Sequence, residues 1–249
     1  MLTIERHKKI LDLLKERSIV KLQELVDETG ASESTLRRDL TDLEQAKKLK
    51  RIHGGATLLK KILEEPTVAE KTIKNSHEKK KIAEKAASFV EDGDCIFLDA
   101  GTTTVEMVAF LEEKQVTVVT NGLTNIALLA DLNVETHVIG GFVKSGTRAF
   151  VGRNAIRALE TFRFDKAFIG VNGITELDGC TTPDPEEAFI KEYAIARSRQ
   201  SFILADHTKF GEVSFSKFAD LSEVTIITAN LDDETYNNYR TMTNIEVVD

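Results

Sequence analysis

Two groups of polar side chains in this sequence have types and spacings that suit phosphate binding. The first group is Ser34, Thr35, Arg37 and Arg38, in which two hydroxyls precede a pair of guanidiniums. Such groups donate hydrogen bonds to phosphate oxygens and purine edges, which are the features of DNA that proteins contact. We therefore predict that this segment contacts DNA, and a solvated amphipathic helix is the alternative explanation.

The second group follows an apolar run in the carboxyl-terminal half of the chain. It consists of Asp99, Gly101, Thr102, Thr103 and Thr104. Where such a loop leads into a helix, free N–H groups and hydroxyls together can cradle a phosphate. The loop lacks the lysine of a P-loop and the three glycines of a dinucleotide fingerprint, so it does not predict a nucleoside triphosphate or NAD. Helix capping alone is the other explanation of these residues.

Polar residues also follow the other apolar runs of this half. Their amides and carboxylates suit the hydroxyls of a polyol, and their lysines and arginine suit a phosphate. They are Asn121, Arg148, Asn172, Asp184, Glu187, Lys191, Asp206 and Lys209. In an open α/β sheet, ligands bind beyond the carboxyl ends of the strands, where these residues would meet. The sequence thus predicts a sugar-phosphate effector site.

The residues predicted to contact DNA require a helix that begins near Ser32. In such a helix Leu36, Leu40 and Leu43 form one apolar stripe, and the arginine pair lies on the opposite face. Ser32 can cap this helix, and Gly30 can end a preceding helix in the left-handed conformation. This pattern is typical of a recognition helix in a helix-turn-helix.

A basic segment follows this helix and ends in two glycines. Arg51, His53 and Gly54 belong to it, and their order is typical of a strand that leads into a tight turn. Such a strand beside a helix-turn-helix forms a wing. We therefore predict that these three residues also contact DNA.

The carboxyl-terminal half alternates apolar runs with helical stretches. The runs are continuous and rich in valine and isoleucine, as expected of strands that are buried on both faces. They are residues 95–98, 116–120, 136–139, 167–171, 202–205, 224–228 and 245–248. Helices are predicted at 103–113, 123–131, 153–161, 187–198 and 232–239. The predicted fold is α/β, with a winged helix-turn-helix before a larger, mainly parallel sheet domain.

These motifs resemble those of the DeoR-type bacterial transcriptional repressors. The winged helix-turn-helix of that family is matched by SESTLRRDL and KRIHGG. The family's sensor domain is matched by LDAGTTT, VTNG, IGG, GVNGI, the Glu187 and Lys191 pair and ADHTKFG, so the resemblance covers nearly the whole chain. It implies a sensor fold similar to ribose-5-phosphate isomerase and the CoA transferases, with a phosphorylated sugar as effector.

Within this family, the amino-terminal sequence is most similar to the fructose-operon repressors. The resemblance therefore implies a repressor of a sugar-utilisation operon that fructose 1-phosphate releases from double-stranded operator DNA. A single DNA-binding domain makes too few DNA contacts for specific affinity. We therefore expect the chain to act with copies of itself as a symmetric dimer or tetramer.

A sugar-phosphate isomerase with an accessory binding head is the alternative function. Asp184, Glu187 and Lys191 could in principle supply a base and a group that polarises a carbonyl. However, residues 172–174 are Asn, Gly and Ile where the isomerases that this half resembles have acidic residues. We therefore predict no enzyme and no catalytic residue. A third possibility is a helix-turn-helix that binds protein, which the arginine pair and the basic wing disfavour.

The distribution of charge is typical of two domains with different partners. The chain has 249 residues and a net charge of −8, but residues 1–60 carry +3 and the remainder −11. A basic head on an acidic body suits one domain that approaches DNA phosphates and one that does not. We predict a DNA-binding domain over 1–57, a charged linker over 58–75, and a sensor and oligomerisation domain over 76–249.

Membrane, metal and cofactor partners are not predicted. No apolar run approaches the roughly 20 residues that span a bilayer, and the amino terminus is charged unlike a secretory signal, so a cytoplasmic protein is expected. Cys95 and Cys180 are far apart and lack metal-ligand spacing. We expect two reduced thiols.

Overall fold

The computed structural model describes residues 1–17, 19–46, 48–52, 54–58 and 67–248. The chain divides into two compact units, Met1–Lys61 and Ile62–Asp249. We refer to them as the head unit and the sensor unit. Among the described residues, no helix has the length and apolar content needed to cross a bilayer.

The head unit contains three helices and a small sheet. In chain order its elements are α1 (Thr3–Arg17), β1 (Ile19–Lys21), α2 (Leu22–Thr29), α3 (Glu33–Gln45), β2 (Leu49–Ile52) and β3 (Gly55–Leu58). The sheet is antiparallel with the order β1-β3-β2. Its β2 and β3 strands form the predicted wing hairpin.

The junction between α2 and α3 has the geometry that the sequence predicts. Gly30 ends α2 with a φ of 69°, in the left-handed region. Ser32 caps α3, because its side chain accepts a hydrogen bond from the Thr35 N–H at 3.3 Å. The apolar stripe of α3 lies in the core of the head unit, and its residues are Leu36, Leu40 and Leu43. The opposite face of α3, with Arg37 and Arg38, is exposed to solvent.

The sensor unit alternates helices and strands. Its helices are α4 (Val68–Ile73), α5 (Ser76–Ser88), α6 (Thr102–Glu106), α7 (Leu123–Asp131), α8 (Arg153–Leu159), α9 (Pro185–Ala196) and α10 (Asp233–Tyr239). Its strands are β4 (Cys95–Leu98), β5 (Thr117–Thr120), β6 (Glu135–Val138), β7 (Phe142–Lys144), β8 (Ala149–Val151), β9 (Phe164–Gly170), β10 (Gly173–Thr175), β11 (Gly179–Thr182), β12 (Ser198–Leu204), β13 (Ser216–Ala219), β14 (Thr225–Ala229) and β15 (Asn244–Val248).

A seven-stranded parallel sheet forms the centre of the sensor unit. Its strand order is β15-β14-β12-β9-β4-β5-β6. Every neighbouring pair is parallel. Each strand overlaps one of the seven apolar runs, so the predicted mainly parallel α/β fold is confirmed.

Helices cover both faces of this sheet. Side chains of α5 and α7 belong to the core on one face, and side chains of α8, α9 and α10 belong to the core on the other. Val118 and Val119, which are neighbours in β5, lie in the two different cores. This is the alternation of side chains that a strand buried on both faces requires.

Several short elements were not predicted from the sequence. They are the two-stranded β7-β8 hairpin, the antiparallel β10-β11-β13 sheet and α4, which lies inside the predicted linker. Each is at most six residues long, so its pattern is too brief to reveal a period. The helix predicted at 103–113 is shorter, because α6 ends at Glu106 and a 3-10 helix follows over Met107–Phe110.

Both cysteines are free thiols in the sensor unit. Cys180 is buried in β11 and Cys95 is half-buried in β4. Burial raises the pKa of the Cys180 thiol to about 12. Burial also raises the pKa of Cys95. Raised pKa values make both thiols poor nucleophiles and poor metal ligands at neutral pH.

Candidate functional site

The exposed face of α3 carries four of the residues predicted to contact DNA. Arg37 and Arg38 are exposed, and the Arg37 guanidinium is 3.5 Å from the Glu33 carboxylate, a weak surface contact. The hydroxyls of Ser34 and Thr35 lie 3.0 and 2.9 Å from the Ser32 hydroxyl. This face therefore offers guanidiniums that no buried contact restrains, and hydroxyls at the amino-terminal end of the helix.

The wing is held against α3 by its own arginine. The Arg51 guanidinium donates to the Thr41 hydroxyl at 2.8 Å, and the Arg51 N–H donates to the Glu44 carboxylate at 2.8 Å. Gly54 has a φ of 75° in the turn between β2 and β3. His53 lies outside the described residues. Arg51 thus positions the wing in the free protein, and its DNA contact remains a prediction.

A buried ion pair that the sequence analysis missed fixes the orientation of α3. The Asp39 carboxylate accepts hydrogen bonds from Arg6 Nε at 2.5 Å and Arg6 Nη2 at 2.9 Å. His7 Nε2 lies 3.1 Å from the same carboxylate. Asp39 is adjacent to Arg38 in sequence, so the pair with α1 sets the rotation of the helix that carries the arginine pair.

The predicted effector residues follow four neighbouring strands of the parallel sheet. In the order β12-β9-β4-β5, these strands are followed by Asp206, Asn172, Asp99 and Asn121 respectively. Parallel strands end at the same edge, so their loops meet there. We call the loops after these four strands, together with the start of α9, the strand-end site.

A buried lysine and aspartate occupy the centre of the strand-end site. The Lys191 ammonium donates to Asp99 Oδ2 and to the Gly170 carbonyl, the latter at 3.0 Å. Asp99 Oδ2 also accepts a hydrogen bond from the Gly170 N–H at 3.0 Å. The side chains of Lys191 and Asp99 are 4% and 1% exposed. Asp99 therefore holds Lys191 in place.

The threonines of the loop after β4 divide into two roles. The Thr104 hydroxyl donates to the Asp99 carbonyl at 2.7 Å and to the Gly101 carbonyl at 3.0 Å, so it stabilises the loop. Among the described residues, the hydroxyls of Thr102 and Thr103 have no hydrogen-bond partner. Gly101 has extended backbone with a φ of −164°, so it is not needed for a left-handed turn. Thr102 and Thr103 are the better ligand candidates.

Asn121 and Asn172 make structural hydrogen bonds at the strand ends. The Asn121 side-chain oxygen accepts a hydrogen bond from the Ala100 N–H at 2.7 Å, which joins the loops after β4 and β5. The Asn172 side-chain oxygen accepts one from the Thr182 hydroxyl at 3.1 Å. Asn121 is buried and Asn172 is half-buried.

Glu187 and Asp184 bind the hairpin that carries Arg148. Glu187 Oε1 accepts hydrogen bonds from the Thr147 hydroxyl at 2.6 Å and the Lys144 ammonium at 3.0 Å. Lys144 also lies 2.8 Å from the Asp184 carboxylate. Burial raises the pKa of Asp184, but the Lys144 hydrogen bond and the amides at the start of α9 outweigh it and hold the pKa below its usual value.

The contact that Arg148 makes near the strand-end site is through its backbone, not its side chain. It has a φ of 55°, and its carbonyl accepts a hydrogen bond from the Leu123 N–H at 2.9 Å. Its side chain is exposed. Lys144 and Thr147 were missed by the sequence analysis, because their roles depend on the β7-β8 hairpin that the sequence did not predict.

The loop after β12 joins the strand-end site to α5. Asp206 is 2% exposed and accepts hydrogen bonds from the Asn75 amide at 3.0 Å and the Thr208 N–H at 3.1 Å. The Lys209 ammonium lies 3.7 Å from the other Asp206 oxygen. Burial raises the pKa of Asp206, but Lys209, Thr208 and Asn75 outweigh it and lower the pKa overall.

Lys79, the residue directly after Glu78 on α5, is a buried cation that the sequence analysis missed. Its ammonium donates to the Lys71 carbonyl, and among the described residues it forms no ion pair. Burial lowers its pKa, and Asp206 raises the pKa in part. A buried ammonium that lacks a carboxylate at contact distance is suited to an anionic ligand.

One group of side chains in the described part of the chain has spacing that could hold a metal ion. Ligand atoms of Glu78, Asp206 and His207 lie within 4.8 Å of one another. However, His207 Nδ1 is 2.9 Å from the Glu78 carboxylate, and Asp206 already accepts three hydrogen bonds. These contacts account for the group as a hydrogen-bond network without an ion.

Comparison with known families identifies both units of the chain. Residues 6–62 match the model of a DeoR-like helix-turn-helix domain. Residues 74–230 match the model of the DeoR C terminal sensor domain. The two matches cover α3 with its wing and all four loops of the strand-end site.

Comparison with individual proteins gives relatives of nearly the same length. An uncharacterized HTH-type transcriptional regulator of Bacillus subtilis, named FruR, is 49% identical over 100% of this chain and 99% of its own. The lactose phosphotransferase system repressor of Staphylococcus aureus is 34% identical over 98% of each chain. A solved ribose 5-phosphate isomerase A of Methanocaldococcus jannaschii is 17% identical, covers 55% of each chain and has a TM-score of 0.42.

Proposed function

The chain belongs to the DeoR family of helix-turn-helix transcriptional regulators and is not an enzyme, and from that premise we propose that it represses a sugar-utilisation operon and leaves its operator when it binds a phosphorylated sugar. It acts in the cytoplasm, where the operator DNA is. The relatives named as a lactose phosphotransferase system repressor and as FruR support an operon for sugar use.

The observation that carries the proposal for DNA is the division of α3 into two faces. One face is buried in the head unit, and the other presents Arg37 and Arg38 to solvent. The arginine pair contacts phosphates and base edges when α3 lies in the major groove, with Ser34 and Thr35 at the backbone. Two heads on one operator need two chains, so the functional form is a symmetric dimer or tetramer.

The observation that carries the proposal for the effector is that the strand-end site offers ammonium and hydroxyl groups that can donate hydrogen bonds to a phosphate. Lys79 and Lys209 are the cations for a phosphate, and the hydroxyls of Thr102 and Thr103 are further donors to it. Asp206 is an acceptor for sugar hydroxyls. The resemblance to fructose-operon repressors and the name of the relative FruR make fructose 1-phosphate the effector that we propose.

The effector is tested by a thermal-shift panel of fructose 1-phosphate, fructose 6-phosphate, fructose and inorganic phosphate. At 100 times its dissociation constant, a ligand stabilises the protein that binds it by about 2.7 kcal/mol. We expect a shift from fructose 1-phosphate and none from fructose. A shift from another sugar phosphate alone would change the effector, and the absence of any shift would contradict a sugar-phosphate site.

Operator binding is tested on a sequence selected from a random DNA pool. We expect Arg38→Ala to abolish binding while the thermal shift with the effector persists. Lys15→Ala is the matched control, because Lys15 is an exposed cation of the same unit in a surface pair with Asp12. The logarithm of the binding constant should fall with the logarithm of salt concentration, with a slope of about −0.9 per phosphate contacted. Operator binding by Arg38→Ala at the affinity of the control would remove α3 from the proposal.

A further inference from the structure

The short helix α4 is held on the sensor unit by polar contacts. None of its side chains is buried, and Ile73 is 83% exposed. Its own start is well formed, because Thr67 and Glu70 make a reciprocal capping box. An element without buried apolar side chains belongs to the least stable parts of a structure. The position of α4 is therefore decided by a few hydrogen bonds.

The amino-terminal end of α4 is tied to the β7-β8 hairpin. The Val68 N–H donates to the Gly146 carbonyl at 3.1 Å. Gly146 lies in the turn that also contains Thr147, whose hydroxyl donates to Glu187 in the strand-end site. This end of α4 thus contacts the residue next to Thr147, which in turn contacts the predicted effector residue Glu187.

The carboxyl-terminal end of α4 is tied to the loop after β12. Asn75 has a φ of 54°, a conformation that is rare for residues other than glycine, and its amide donates to Asp206 at 3.0 Å. The Lys79 ammonium donates to the Lys71 carbonyl within α4. Next to these contacts, Glu78 on α5 lies 2.9 Å from His207.

We propose that α4 is the strap through which the bound effector acts on the head unit. This inference rests on the proposed function, because it takes the strand-end site as the effector site. A phosphate that recruits Lys79 draws it from the Lys71 carbonyl, and a sugar hydroxyl at Asp206 competes with Asn75. Both changes remove restraints on α4, which residues 59–67 join in sequence to β3 of the head unit.

The proposal has a consequence in both directions. If α4 is docked in the form that binds operator and released in the form that binds effector, loosening α4 must weaken operator binding and tighten effector binding. For one docking equilibrium, the fold loss in operator affinity multiplied by the fold gain in effector affinity equals the factor by which the variant shifts that equilibrium. Simple damage to the effector site would weaken effector binding instead.

The variants that test this are Asn75→Gly and Val68→Pro. Glycine keeps the left-handed backbone and removes only the amide that contacts Asp206. Proline at the first position of a helix removes the N–H that contacts Gly146 and is tolerated there, because Thr67 is extended with a ψ of 159°. Asn133→Gly is the matched control, since Asn133 has a φ of 55° in a loop before β6.

Operator affinity and fructose 1-phosphate affinity are measured for the full-length protein, together with hydrogen exchange of the α4 amides. In the wild type we expect the effector to weaken operator binding at least tenfold and to speed exchange in α4. We expect each variant to lose about threefold in operator affinity, to gain about threefold in effector affinity and to respond less to the effector, with Asn133→Gly unchanged.

The outcomes separate this inference from the proposed function. If the wild type responds to the effector and both variants respond equally, α4 does not transmit the response and the strap is overturned. The same holds if the variants bind the effector more weakly than the control. If operator binding by the wild type is insensitive to every sugar phosphate in the panel, the proposed function fails and the strap fails with it.

Discussion

The Arg6 and Asp39 ion pair gives a sharp test of how the recognition helix is held in the head unit. Asp39 on α3 accepts two hydrogen bonds from Arg6 on α1, and both residues are buried. We predict that Asp39→Asn destabilises the head unit, although asparagine has nearly the same shape. The substitution keeps one acceptor oxygen but removes the charge that the guanidinium faces.

The size of the effect follows from the kind of contact that is lost. A hydrogen bond to a charged group contributes about 1.5–3 kcal/mol. Removing one partner of a fully buried pair costs about 3–5 kcal/mol. The Arg6 side chain is still 11% exposed, so solvent screens part of the lost charge and we expect about 2 kcal/mol. A unit of about 60 residues has a stability of roughly 3–9 kcal/mol, so this loss is a large fraction of it.

Hydrogen exchange measured on the full-length protein reports the head unit separately from the sensor unit. A loss of about 2 kcal/mol speeds exchange of the protected amides in α1 and α3 by about 30-fold, since 1.4 kcal/mol is a factor of ten. Asp42→Asn is the matched control, because Asp42 lies on the same helix and is exposed. Equal exchange in Asp39→Asn and Asp42→Asn would refute the assignment of the pair as the anchor of α3.

The pH dependence tells whether charge is the cause. Burial raises the pKa of Asp39, but hydrogen bonds from Arg6 and His7 outweigh it, so the pKa lies below its usual value. A lowered pKa means that the stabilisation is complete above the unfolded pKa of about 3.9 and is lost as the pH falls through the folded value. The difference between wild type and Asp39→Asn should therefore be full at pH 7 and shrink below about pH 4. A difference that does not shrink at all as the pH falls below 4 would mean that shape, not charge, is responsible.

Two further predictions concern the strand-end site and the wing. Lys191→Met should lower the free energy of unfolding of the sensor unit by about 3–5 kcal/mol in urea, because it leaves the buried Asp99 carboxylate without its cation. Lys80→Met, at an exposed lysine of α5, is the control, and equal stability of the two variants would contradict the role of Lys191 as the cation that pairs with Asp99. Gly55→Ala should weaken operator binding by distorting the wing at a cost of about 1–3 kcal/mol, because the new Cβ would overlap the Val20 carbonyl. Gly30→Asn is the control, because a Cβ at Gly30 would meet nothing within 4 Å, and equal operator affinities of the two variants would contradict this packing.

Local patterns were enough to predict the elements that position both sites. The stripe of Leu36, Leu40 and Leu43, the left-handed Gly30 and the cap at Ser32 are each decided within a few residues, and all are confirmed. The seven strands of the parallel sheet were predicted for the same reason, because burial on both faces makes each strand a continuous apolar run.

Contacts between distant residues could not be predicted from such patterns. Arg6 and Asp39 are 33 positions apart, and Lys191 and Asp99 are 92 positions apart. The residues around each of these four positions give no indication of which distant residue will be its partner. Lys79 reads as one lysine among several on a charged helix, and only the burial of its ammonium beside the loop after β12 distinguishes it.

Long-range pairs also explain why the acidic residues of the strand-end site have roles other than those that the sequence suggests. The sequence presents Asp99, Asp184 and Glu187 as possible ligands or bases, but each carboxylate accepts hydrogen bonds from a lysine or from backbone amides. A general base must have a carboxylate that is ready to take a proton, and the lowered pKa of Asp184 opposes this. The carboxylates of Asp99 and Glu187 are likewise paired with lysines, so these three acidic residues hold cations in place and are not arranged as general bases.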